Sequence, residues 1–110
     1  MDQATTAAER AEEAAQTLCR VLVEHPTDGP DVYLVLGSVS VAVWQLRNTV
    51  ELLKRSITAN RPTATDDGTD PTGRCDAVVV SLGAATELLA DAVTALDGAQ
   101  NELSHLKAWS

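Results

Sequence analysis

Apolar residues recur along the chain at alternating spacings of four and three. In 30–58 the series is Val32, Leu36, Val39, Val43, Leu46, Val50, Leu53 and Ile57. In 71–107 it is Val78, Leu82, Ala85, Leu89, Ala92, Leu96, Ala99, Leu103 and Leu106. A period near 3.5 puts such residues on one side of a helix. The four prolines, at 26, 30, 62 and 71, cluster in "HPTDGP" and "NRPTATDDGTDP". Proline breaks helix interiors but suits a first turn. The pattern predicts three helices, over 6–24, 30–58 and 71–107, in a single domain.

The first helix opens on "TAAE", with Thr6 as cap and Glu9 reaching back to its amide. Ala8, Ala11, Ala15, Leu18 and Leu22 follow at helical spacing, and His25-Pro26 ends the run. The second helix is contested by "DVYLVLGSVSVAVWQL", uncharged from Val32 to Leu46. Its alternating β-branched residues and Gly37-Ser38 read as a hairpin in isolation. The seam continues unbroken to Ile57, and a sustained period outranks local propensity. Pro30 and Asp31 suit a helix start. The third helix is announced by Asp70 as N-cap and Pro71 as first residue. Its leucines at 82, 89, 96 and 103 alternate with alanines at 85, 92 and 99. Gly83 and Gly98 interrupt it and point to close backbone approach.

The fold expected is an all-α, up-down-up three-helix bundle with a long C-terminal helix, self-associating through coiled-coil packing. At 1.5 Å per residue the helices measure about 28, 43 and 54 Å. The first is too short to cover the far end of the other two. Val50, Leu53, Ile57, Val78, Val79 and Leu82 are therefore the candidate interface residues, since an uncovered apolar patch marks an interaction surface. The competing expectation is that the loop 59–70 or the first residues fold over that end.

Composition narrows the function. Hydrophobic residues are 45% of the 110, with no Phe, and the net charge of −8 makes nucleic acid an unexpected main partner. The one basic stretch holds Arg47, Lys54, Arg55 and Arg61 and reads first as a solvated helix end, second as an anion-facing patch. Cys19 and Cys75 form no disulfide framework. The topology separates them, with Cys19 expected buried and Cys75 the more reactive. The acidic N-terminus lacks the apolar core of a signal peptide, and no stretch is expected to reach membrane-spanning length. A soluble, cytoplasmic protein follows as the expectation.

Catalytic chemistry finds no foothold. No phosphate-binding, nucleophile-elbow or zinc-helix motif occurs, and Ser38, Ser40 and Ser81 have no histidine near them in sequence. "DDGTDPTGRCD" departs from calcium-loop spacing and reads as turn and N-cap. His25 and His105 are placed at one end of the bundle without metal-ligand spacing. Trp109 is either a cap on the core or a partner anchor. No catalytic, cofactor or metal residue is assigned.

At "DVYLVLG", "DDGTDP" and "ALDGAQNELSHL" the chain resembles a group of small all-helical actinobacterial proteins often encoded near plasmid or integrative-element genes. The likeness spans most of 28–106. It implies an all-α accessory protein of bacterial origin and carries no activity with it. The expected function is a non-enzymatic protein–protein interaction module, a homodimer or a partner's mate, outside membranes. The alternative is a small-ligand or metal-binding helical bundle.

Overall fold

The computed structural model describes residues 2–106. The described residues are all-α, with three helices: α1 Gln3–Glu24, α2 Pro30–Ala59 and α3 Pro71–Ser104. The uncharged stretch of α2 is helical throughout. The described residues divide after Val32 into two compact units. The first holds α1 and the first turn of α2, and the second is the α2–α3 hairpin.

Local signals set the helix ends. In α1 the cap is Asp2, not Thr6: its carboxylate accepts from the Thr5 amide at 2.7 Å. The Thr6 amide and hydroxyl both donate to the Asp2 carbonyl, so Thr6 lies inside the first turn. A better acceptor upstream moved the start by three residues. His25 closes the helix, its amide bonded to the Val21 carbonyl at 2.7 Å. Before α2, Gly29 takes a φ of 58°, a left-handed turn open to glycine. Pro30 then fixes the first helical φ. At α3, Asp70 accepts from the Thr72 and Gly73 amides, with Pro71 beside it. The helix ends at Ser104, with His105 as cap. Lys107 and Trp109 lie outside the described residues.

Within the hairpin, two antiparallel contacts set the register. Ser40 Oγ donates to Asp97 Oδ1 at 2.5 Å, and Arg61 pairs with Asp76 at 2.9 Å. The Gln100 amide adds a bond to the Tyr33 carbonyl at 3.2 Å. Gly37 is the glycine at a close approach, since a Cβ there would overlap the Gln100 side-chain nitrogen. Gly83 and Gly98, expected to mark such approaches, face open space. The physical difference lies in register. Gly37 stands opposite a long polar side chain, while a Cβ at the other two would meet no atom within 4 Å.

The inner seam is offset from the expected one. On α2 the residues turned inward are Leu36, Ser40, Val43, Arg47, Val50, Lys54 and Ile57. On α3 they are Cys75, Val79, Leu82, Thr86, Leu89, Val93, Leu96, Gln100 and Leu103. Every seventh residue of the expected seams is kept. Between them, Ser40 and Thr86 are buried beside Val39 and Ala85, which stay half-buried, and Arg47 is more covered than Leu46. Two helices bury only one narrow strip each. Accordingly, Ser40, Cys75 and Thr86 are the buried residues of the hairpin and the larger apolar side chains stay half-covered. Thr86 satisfies its hydroxyl on the Leu82 carbonyl.

Two further expectations are corrected. Cys19 is exposed and Cys75 buried, both as free thiols, the reverse of the roles expected. The inner strip of α3 begins at Cys75, whereas no residue of α1 is buried. In addition, α3 is long and apolar enough to cross a membrane by length and composition. The many small Ala and Val residues produce that result although Glu87 and Asp91 stand near its middle. A carboxylate at a bilayer centre costs about 2.5–3.5 kcal/mol on insertion scales.

Candidate interaction surface

The offset of the seam leaves a second apolar stripe on each hairpin helix. Successive residues turn by about 100° around a helix, so Leu46 and Leu53 point roughly a quarter-turn from the inner strip. On α2 this stripe is Val35, Val39, Ala42, Leu46 and Leu53, with Thr49 between the last two. On α3 it runs from Val78 through Ser81, Ala85, Leu88 and Ala92 to Ala99. Both stripes lie on the same rotational side of their inner strips. In an antiparallel pair of right-handed helices, that places them on one face of the hairpin.

This face is uncharged and partly open, with Val35, Val39, Ala85 and Ala92 half-buried on it. Leu46 is 48% exposed, Leu53 52%, Val78 43% and Leu88 68%. No charged residue stands on it between Val35 and Leu53 or between Val78 and Ala99, in a chain that is 22% charged. The relief is uneven. Val39, Leu46 and Leu53 make a ridge on α2, and Ala85, Ala92 and Ala99 make a trough on α3. The register set by Ser40–Asp97 and Arg61–Asp76 brings Leu46 level with Ala92 and Leu53 level with Ala85.

The opposite flank is polar. The Arg47 guanidinium lies 5.1 Å from the Trp44 ring centroid and donates to Asn48 Oδ1 at 3.3 Å. Its Nε is buried without a hydrogen-bond partner. Lys54 pairs with Glu51 at 3.2 Å. An open depression of about 450 Å³ is lined there by Arg47, Asn48, Glu51, Leu52 and Arg55. The basic stretch is therefore largely engaged: Arg47 with Trp44, Lys54 with Glu51, Arg61 with Asp76. It is not a charged helix end, because α2 runs to Ala59 with no cation in its last turn.

The six expected interface residues separate into two groups. Val50, Ile57, Val79 and Leu82 are half-buried on the inner strips, while Leu53 and Val78 lie on the open face. Ile57 and Val78 also line a cleft of about 170 Å³ with Pro62, Ala64, Thr65, Pro71, Arg74 and Cys75. The connector thus lies against the end expected to be bare. Arg61–Asp76 ties it at one point. An ion pair between Arg74 and Asp67 ties it at another, supported by Arg74 Nε on the Thr69 hydroxyl at 2.9 Å. The Thr69 hydroxyl and amide both donate to Asp67, holding its carboxyl below the ordinary value of 3.8, with the hydroxyl as the larger cause. Gly68, at φ 74°, makes the turn between them.

Leu46, Ala85 and Ala92 belonged to the expected seams but not to the expected interface. Their signal was present, since each helix carries two overlapping series that share every seventh residue. Ser40, Arg47, Lys54, Thr86 and Gln100 disguised the series that packs. Among the described residues, no group of three His, Cys, Asp or Glu side chains is placed to hold a metal ion. A comparison with protein-family models, curated proteins and solved structures finds no match.

Proposed function

We propose that the protein is a non-enzymatic helical interaction module that works by self-association, as part of a bacterial accessory system in the cytoplasm. The observation that supports this most is the uncharged face of the hairpin, with Leu46 and Leu53 about half exposed beside a row of alanines. Leaving apolar surface in water costs about 25 cal/mol per Å², and a coiled-coil-type contact with another helical face removes that cost. A net charge of −8 opposes close approach elsewhere on the surface. On this face, two copies meet without opposing like charges.

Sedimentation equilibrium from micromolar to millimolar protein tests the reading. A reversible rise from one to two chains is the expected result. A strict monomer throughout the range removes self-association, and the open face then belongs to a different protein.

A further inference from the structure

The proposed self-association acquires a definite geometry from the relief of the open face. We infer that a second copy docks on it with the two-fold axis parallel to the helices, so that the α2 ridge of each copy lies in the α3 trough of the other. The inference rests on the self-association reading and adds a pairing that can fail separately.

Symmetry restricts how two copies can meet. Two copies meeting through one shared face are related by a two-fold axis lying in the interface plane. That axis runs either along the helices or across them. An axis across the helices sets α2 on α2 and α3 on α3. Leucine ridge then meets leucine ridge, and alanine trough faces alanine trough across a gap. Such voids forfeit contacts that close packing supplies. An axis along the helices sets α2 of one copy over α3 of the other and leaves every residue at its own level. Leu46 is level with Ala92 and Leu53 with Ala85, so each leucine arrives over an alanine without any shift along the axis. Leu88, the most exposed apolar residue on this face, forms the outer wall of the trough.

Direction and area agree with this arrangement. The second copy's α2 is antiparallel to the α3 beneath it, so all neighbouring helices in the resulting four-helix bundle are antiparallel, a common bundle topology. At 1.5 Å per residue the stripe is about 32 Å long on α3, from Val78 to Ala99, and about 27 Å on α2, from Val35 to Leu53. Two helices at a spacing of 8–10 Å make it about 20 Å wide. The product, roughly 600 Å², approaches the ~800 Å² per partner of a stable interface. The bundle also explains why Ala recurs at 85, 92 and 99: a larger side chain there would leave no room for the ridge.

Cysteine pairing tests the geometry in the full chain, in a Cys19→Ser background with buried Cys75 retained. Leu46→Cys and Ala92→Cys are made as separate proteins, mixed, and oxidised by air with copper–phenanthroline. The expected result is a covalent dimer from the mixture and none from either protein alone. Leu53→Cys mixed with Ala85→Cys should behave the same way, which guards against a misfolded variant. A covalent dimer from Leu46→Cys alone would put α2 against α2 and overturn the inference while self-association stands. A sedimenting dimer that links in neither mixture also overturns it, because the face would be wrong. A chain that stays monomeric at millimolar concentration removes both the geometry and the reading it rests on.

Discussion

Replacing helical glycines by alanine measures the hairpin's register and the space around it. Gly37, Gly83 and Gly98 all lie in helix interiors, where alanine is better than glycine by about 1 kcal/mol on intrinsic propensity. At Gly83 and Gly98 the added methyl meets no atom within 4 Å, so the full gain is expected. For a domain of this size that corresponds to a rise of about 4–8 °C in Tm. At Gly37 the methyl overlaps the Gln100 amide nitrogen, which donates to the Tyr33 carbonyl at 3.2 Å. The flexible amide swings away at little steric cost, but its hydrogen bond, about 0.5–1.5 kcal/mol, is lost. Gain and loss nearly cancel, and Gly37→Ala should leave Tm almost unchanged. In a Gln100→Ala background the bond is already gone, so Gly37→Ala should then recover the whole gain. Thermal melts by circular dichroism at one fixed protein concentration read all five variants, the Gln100→Ala background included. A fall in Tm for Gly83→Ala would show that another group occupies the space there. Equal stabilisation by Gly37→Ala and Gly83→Ala would refute the Gln100 contact and the register built on it.

Leu46→Glu should raise the dimer dissociation constant at least about 100-fold, since each copy loses roughly 1 kcal/mol of leucine burial and gains a carboxylate in an apolar contact. Leu52→Glu, on the far side of α2, should leave the constant within a few-fold, and equal effects in sedimentation would sink the face assignment. Asp67 has a folded pKa below its ordinary 3.8, so the order it lends the 65–74 turn is present above 3.8 and lost as pH falls through the lower value. The Thr69 amide resonance should therefore titrate below pH 3.8, and Thr69→Ala should move the inflection upward. Cys19 should react with a thiol reagent at once and Cys75 only on unfolding, and rapid labelling of both would contradict the burial of Cys75.

Chain order and local chemistry made the elements legible. Asp70-Pro71, Pro30-Asp31 and His25-Pro26 mark three helix boundaries because caps and proline act through neighbouring residues alone. The continuous seam to Ile57 made α2 a helix despite its valines, since a periodicity over four turns and more outweighs β-propensity at single positions. Thr6 failed as a cap for an equally local reason: Asp2 stands upstream with a stronger acceptor.

What the linear pattern left undecided was which of two seams packs. Leu36, Val43, Val50 and Ile57 belong to both, as do Leu82, Leu89, Leu96 and Leu103. A rotation of each helix by a fraction of a turn exchanges Leu46 for Arg47 and Ala85 for Thr86. Hydrophobicity alone favours the purely apolar choice. The hairpin takes the other, joined across its axis by Ser40–Asp97 and Gln100–Tyr33, bonds between residues far apart in the chain. Such pairings exist only once two helices face each other in register, and no periodicity along one helix encodes them. The helices and their ends were therefore determined by the sequence. The seam, and with it the identity of the face left open, was decided by the tertiary structure.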